Sequence, residues 1–126
     1  MNNDVVIYQS SDGLVKMEAI VDASNETIWA TQKAMAQLFG VNVPAISKHL
    51  KNIYSEGELV ESKTISKMET VVQRGFRGAV REMVEFYNLD AIISVGYRIN
   101  SRQATAFRQW ATSVLKQYMI KGYAVN

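Results

Sequence analysis

Two short runs of apolar residues at helical spacing lie close together in the first half of the chain. The two runs are Ala34, Met35, Leu38 and Phe39, then Ile46, Leu50 and Ile53. Thr31 and Asn42 precede the runs, where a side-chain oxygen can cap the first free backbone N–H groups of a helix. Gly40 suits the end of the first helix, and Pro44 suits the first turn of the second. Two helices joined by a Gly-containing turn form a helix-turn-helix, which we predict for residues 31–54.

The second helix of this motif is predicted to have a small, polar and basic outer surface. With Ile46 in the core, the residues left outside are Asn42, Val43, Ala45, Ser47, Lys48, Lys51 and Asn52. Short side chains allow close approach to the major groove, amides pair with adenine edges, and Lys reaches guanine or phosphate. Residues 31–55 hold three lysines and no acid. This predicts a DNA-binding face that also includes Thr31, Gln32 and Lys33; the alternative is a helical hairpin used only for packing.

Alternating polar and apolar positions predict strands on both sides of the motif. Residues 1–30 contain three β-prone runs and read as a β-hairpin or small meander, with Trp29 as a core anchor. Residues 63–88 read as a second hairpin around the Gly-containing turn 74–78. A helix over 79–86 also fits the spacing there. A basic-tipped hairpin after a helix-turn-helix is typical of a wing, in which Arg74 and Arg77 would contact phosphate or the minor groove.

The last third of the chain predicts a pair of helices over residues 89–122. The first is short and apolar and ends at Gly96 and Tyr97, whereas the second is capped by Ser101, runs to about Lys121 and stops at Gly122. Its apolar stripe comprises Ala104, Phe107, Ala111, Val114, Leu115 and Tyr118. Two further basic residues, Arg98 and Arg102, are candidate phosphate contacts.

Composition indicates one folded domain over residues 1–126, because 48% of the residues are hydrophobic. The net charge is only +2, but residues 1–26 carry five acids and one Lys, whereas residues 91–126 carry five basic residues and no acid. Such asymmetry is typical of a one-sided polyanion binder. The chain has no Cys, no apolar run near the roughly 20 residues of a membrane span, and no signal-peptide pattern at its start. We therefore expect a cytoplasmic protein that does not enter membranes.

Catalytic and metal-binding patterns are weak. The single His, His49, has no neighbouring nucleophile in the sequence, and no phosphate loop or zinc-protease motif occurs. Glu56, Glu58 and Glu61 lie close together without a His or Asp, which favours a solvated acidic loop over a metal site. We assign no catalytic residue, metal, cofactor or small-molecule substrate.

Several long segments resemble the virulence RhuM family. They are residues 27–41, 46–59, 86–101 and 106–112, among which the run Tyr-Asn-Leu-Asp-Ala-Ile-Ile-Ser-Val-Gly-Tyr-Arg is the longest and most specific. The layout is also similar, more distantly, to Bro-N type domains of phage and viral proteins, which are regarded as DNA-binding. The resemblance implies a bacterial protein of a mobile or virulence locus. Members of the RhuM family are generally longer than this chain.

The sequence thus predicts an α+β, winged-helix-like domain that binds double-stranded DNA without catalysis, for transcriptional or mobile-element regulation. A two-fold dimer is compatible with this function because palindromic half-sites require one. Two alternatives stay open. The chain is a protein-interaction or dimerisation module that docks through its basic last helix, or it is part of an effector enzyme whose catalytic part lies beyond residue 126.

Overall fold

Two antiparallel sheets and five helices make up residues 4–121, the part of the chain that the computed structural model describes. The strands are β1 (Asp4–Gln9), β2 (Lys16–Asp22), β3 (Thr27–Trp29), β4 (Ile65–Gln73) and β5 (Ala79–Tyr87). The helices are α1 (Gln32–Phe39), α2 (Val43–Ser55), α3 (Glu61–Thr64), α4 (Leu89–Ile99) and α5 (Ser101–Lys121). The α+β class is confirmed. The one-turn helix α3 was not predicted, and Gly122, the predicted helix stop, lies outside the described residues.

The first sheet is a three-stranded meander in the order β1-β2-β3. Side chains alternate across a strand, so one face of β2 is buried through Met17, Ala19 and Val21, whereas Lys16 and Glu18 are exposed. Tyr8 of β1 lies opposite Met17 and packs edge-on against Phe107 and Trp110 of α5, with ring centroids 5.3 and 5.1 Å away. The meander is therefore held to the last helix by an aromatic cluster.

The turn between β2 and β3 is organised by a buried carboxylate. Asp22 is 3% exposed and accepts hydrogen bonds from the Ser24 hydroxyl, the Asn25 amide groups and Nε1 of Trp29, which is 3.0 Å away. Burial alone would raise the pKa of Asp22, but the bonds from Asn25, Trp29 and Ser24 outweigh it and hold that pKa below its usual value. Trp29 is half-buried at this turn, so its predicted role as a core anchor is wrong.

Helices α1 and α2 begin at the predicted caps, and α1 ends at the predicted glycine. Thr31 Oγ1 accepts from the Ala34 N–H at 3.1 Å, and Asn42 Oδ1 accepts from the Ala45 N–H at 2.9 Å. Gly40 ends α1 in the left-handed region, with φ of 68°. The core is built on the predicted apolar stripes, since every one of these residues is at most 7% exposed: Ala34, Met35, Leu38, Phe39, Ile46, Leu50 and Ile53.

Strands β4 and β5 form a nine-rung hairpin from Ile65–Tyr87 to Gln73–Ala79. Residues 79–87 are therefore a strand, and the helical alternative is wrong. The core cluster contains none of residues 66–86. The hairpin joins the body at its base, where the backbones of Ala30 and Tyr87 exchange two hydrogen bonds of 2.9 and 2.8 Å. At roughly 3.3 Å per residue, its tip lies roughly 25–30 Å from that base.

Helix α4 runs through Gly96 to Ile99, so its predicted end at Gly96 and Tyr97 is wrong. Gly96 is buried against Phe39 of α1 and Ala104 of α5. Both side chains lie so close to it that a Cβ on residue 96 would have no room. Asn100 rather than Ser101 caps α5, because its Oδ1 accepts the Gln103 N–H at 3.1 Å. The predicted stripe of α5 is confirmed, with four residues buried and two half-buried: Ala104, Phe107, Ala111, Leu115, then Val114 and Tyr118.

Within residues 4–121, no helix combines the length and the apolar character that a membrane span requires.

Candidate nucleic-acid interface

The outer face of α2 is an exposed ridge of small and basic residues. Ile46, Leu50 and Ile53 point into the core, which places the opposite side of the helix in solvent. We call the exposed residues the α2 ridge: Asn42, Val43, Pro44, Lys48, Lys51 and Ser55. The predicted residues Ala45, Ser47 and Asn52 lie half-buried on its flanks, as does His49. The α2 ridge contains two cations and no acid.

Asn42 has a structural task in addition to its place on the α2 ridge. Its Oδ1 caps the helix through the bond to the Ala45 N–H. The side-chain nitrogen, a donor, is then the group that remains for a base edge or a phosphate oxygen. No acidic residue occupies the first turn of α2, so the positive end of the helix dipole is not neutralised by a neighbouring side chain.

The predicted residues of α1 separate into an exposed one and two that are engaged. Lys33 is exposed, whereas Thr31 and Gln32 are half-buried. Thr31 caps α1, and Gln32 Nε2 donates to the Tyr87 hydroxyl at 3.0 Å. Burial raises the pKa of Tyr87 to about 12, so this hydroxyl stays neutral and ties α1 to the hairpin base. Of these three residues, Lys33 is the one positioned for contact with an external anion.

The acids that follow α2 are held by a cation from α4. Nη2 of Arg98 lies 2.7 Å from Glu56 Oε1 and 3.0 Å from Glu58 Oε1. The bond from Arg98 lowers the pKa of Glu58, so this carboxyl is charged at neutral pH and its charge is balanced locally. Arg98, predicted as a phosphate contact, is instead committed to these two carboxylates. Arg102 remains exposed on α5.

The two arginines of the hairpin tip also differ in whether a carboxylate binds the guanidinium. The guanidinium of Arg74 binds Glu82 through two hydrogen bonds, one of them 2.7 Å long from Nε to Oε2, and this contact lowers the pKa of Glu82. The side chain of Arg77 is exposed and forms no ion pair within residues 4–121, although its charge adds to that of Arg74 in lowering the pKa of Glu82. The structure therefore places both residues at the far end of the hairpin, separated along the chain from the α2 ridge, and leaves Arg77 as the available cation.

Sequence reasoning missed Phe76, which lies between these arginines. Its side chain is fully exposed, at 104% of the reference area, in a one-turn 3-10 helix over Gly75–Arg77. A signal was present in the sequence: an aromatic residue inside a Gly-x-x-Gly turn has no strand or helix to direct it into a core. Its neighbours Gly75 and Gly78 adopt positive φ values of 57° and 73°, which other residues adopt with strain.

An open depression of about 640 Å³ lies between the end of α2 and the following loop, where its titratable groups are Lys51, Tyr54 and Glu61. These groups include no base–nucleophile pair. Residues 4–121 contain no group of three or more His, Cys, Asp or Glu arranged to hold a metal ion.

Comparison with known proteins gives one match. The family model described as "Virulence protein RhuM family" matches residues 63–126, which are half of the chain and include the hairpin and both C-terminal helices. No curated protein and no solved structure matches the chain.

Proposed function

This chain belongs to the virulence protein RhuM family, and we propose that it is a non-catalytic protein that binds double-stranded DNA through the α2 ridge. The observation that supports this proposal is the exposure of a helix face with two lysines, small neighbours and no acid. A duplex requires an interface of this kind, because phosphates repel acids and bulky side chains keep a helix out of the major groove.

In this proposal α1 and α2 act as a helix-turn-helix with α2 as the recognition helix. Lys48 and Lys51 lie one helical turn apart on the same side of α2, so both can reach one groove. Asn42 and the start of α2 would meet a phosphate, because an uncompensated helix N-terminus attracts anions. Lys33 of α1 would contact the backbone beside the groove.

The hairpin would act as the wing of a winged-helix arrangement. Its length carries the tip well away from the core, and the side chain of Arg77 is exposed there without an ion pair among the described residues. Phosphate contacts by such a cation position a protein on DNA without reading sequence. We further propose a regulatory role at a mobile or virulence locus, in the cytoplasm, where such DNA lies.

Titration of a labelled duplex of random sequence tests the proposal. We expect binding at about 50 mM salt that weakens steeply as salt is added. The double variant Lys48→Glu/Lys51→Glu should lose this binding, and the neutral pair Lys48→Gln/Lys51→Gln should lower the slope of log K against log salt by about two.

The matched control reverses the same charges elsewhere. Lys16 on β2 and Lys116 on α5 are both exposed, so Lys16→Glu/Lys116→Glu changes the net charge equally without touching α2. Selective loss in the α2 variant supports the proposal. Equal loss in both variants would mean that net charge, and not the α2 ridge, governs binding.

A second candidate function is protein interaction or homodimerisation. The observation in its favour is the end of α5, where Met119 and Ile120 are 48% and 75% exposed on a helix without acidic residues. Size-exclusion chromatography with light scattering separates the candidates. A tight dimer without affinity for duplex DNA at low salt would favour the interaction module and exclude the first proposal.

A further inference from the structure

The outer end of the hairpin combines an exposed aromatic ring with more arginines than acids. Residues 71–81, which we call the outer arm, contain three arginines, one phenylalanine and no acid. The nearest acids, Glu69 and Glu82, lie on the adjoining rungs and bind Arg81 and Arg74, with Arg81 Nη1 3.1 Å from Glu69 Oε1. Arg77 has no such partner within residues 4–121. An anion that approaches the tip thus meets Arg77, which forms no ion pair, beside Phe76, and would have to displace a carboxylate at Arg74 or Arg81.

The backbone holds this tip in a defined shape. Three hydrogen bonds close it: Arg74 N–H to Gly78 oxygen at 2.9 Å, Arg77 N–H to Arg74 oxygen at 3.1 Å, and Gly78 N–H to Gly75 oxygen at 3.0 Å. The ion pair of Arg74 with Glu82 braces the tip from the side. Phe76 lies within this turn, and its ring is fully exposed at the end of the nine-rung hairpin.

On this basis we infer that Phe76 is a wedge that enters between two base pairs of a duplex and bends it, while Arg77 and Arg74 hold the flanking phosphates; this inference rests on the proposed DNA binding. Apolar side chains that enter the minor groove unstack a base step and kink the duplex by about 20–90°. A protein pocket for Phe76 would not require an exposed arginine without an ion pair directly beside the ring, so Arg77 favours the duplex.

The wedge predicts a preference among DNA sequences that needs no base-specific hydrogen bond. Pyrimidine–purine steps such as TA are the easiest to unstack, whereas A-tracts are stiff. A duplex with a central TA step should therefore be bound and bent more readily than a duplex with an A-tract at the same place. The preference should disappear when the ring is removed.

The experiment uses the full chain and two duplexes labelled at both ends, one with a central TA step and one with a central A-tract. End-to-end energy transfer reports the bend, and anisotropy reports the affinity. For the wild-type protein we expect a bend within about 20–90° on the TA duplex. Phe76→Ala should abolish the bend and the TA preference while binding persists through the α2 ridge. Phe76→Leu, which keeps an apolar wedge, should retain part of the bend.

Leu14→Ala is the matched control, because Leu14 is 85% exposed in the turn between β1 and β2. It should bend DNA like the wild-type protein. Phe76 makes no buried contact, so thermal melting of Phe76→Ala should coincide with that of the wild type. If the wild-type protein binds the duplex and Phe76→Ala binds and bends it equally, the wedge is refuted while DNA binding stands, and Phe76 belongs to another partner. If the wild-type protein does not bind at low salt, both proposals fail.

Discussion

Replacing Gly96 by alanine tests how closely α4 approaches α1 and α5. An ideal Cβ on Gly96 would lie 2.5 Å from Cζ of Phe39, 2.7 Å from Cε1 of the same ring and 2.8 Å from Cβ of Ala104. Real Cβ atoms essentially never show contacts this short. Phe39 is 4% exposed and Ala104 is fully buried, so neither group can move aside into solvent. The helices themselves would have to separate.

The magnitude follows from two opposing effects. Adding a methyl group to a packed interior costs about 1–3 kcal/mol, and three short contacts place this site at the upper end. Alanine is the better helix former and returns about 1 kcal/mol. We therefore expect Gly96→Ala to lower the free energy of unfolding by about 2 kcal/mol. For a domain of this size, that corresponds to a fall in Tm of roughly 6–10 °C.

Urea denaturation and thermal melting measure the effect, and two variants calibrate it. Ala106→Gly on the exposed side of α5 gives the helix-propensity contribution in the same protein. Phe39→Leu removes the end of the ring that blocks the new methyl group. The double variant Gly96→Ala/Phe39→Leu should therefore be less destabilised than the sum of its single variants. A Gly96→Ala protein as stable as the wild type would refute the close approach of these helices.

Two further predictions concern stability. The pKa of Asp22 is lowered because hydrogen bonds from Asn25, Trp29 and Ser24 outweigh its burial. Its folded-state pKa is thus below the unfolded value of about 3.9, so its stabilisation is present above about pH 4 and is lost as the pH falls through the folded pKa. The urea midpoint of the wild type should fall more steeply on acidification than that of Asp22→Asn; parallel curves would contradict this. Asn42→Ala removes the α2 cap and should cost about 1 kcal/mol, whereas Asn42→Ser should retain most of it. Equal urea midpoints for both variants and the wild type would show that the cap contributes nothing.

The parts of the fold that were predictable from sequence depend on neighbouring residues. Thr31, Gly40 and Asn42 specify the ends of α1 and α2 through caps and a left-handed residue, which act within a few positions of each other. The hairpin was predictable because its alternation is long and its turn contains two glycines. The same locality explains why the exposed side of α2 could be assigned: three apolar residues at helical spacing fix which side is buried.

The errors arise where distant residues decide the outcome. The sequence predicts a helix end at Gly96, because Gly commonly stops helices, but here Phe39 and Ala104 require the absence of a side chain. The sequence predicts Trp29 as a core anchor, but its indole N–H donates to Asp22 at the turn. Neither partner is recognisable without the fold, since sequence spacing gives no distance between separate elements.

The ion pairs within the protein determine which arginines and lysines are available to bind the phosphates of a duplex. Arg98 binds two carboxylates at once and is 27% exposed in its side chain, so a phosphate would have to displace both. Arg74 binds one carboxylate through two hydrogen bonds and is 50% exposed, so a phosphate would have to displace Glu82 alone. A phosphate thus has one carboxylate to displace at Arg74 and two at Arg98. Together with Lys48, Lys51 and Arg77, this makes the α2 ridge and the hairpin tip, and not the start of the C-terminal helices, the surfaces where reversing a charge should most affect DNA binding.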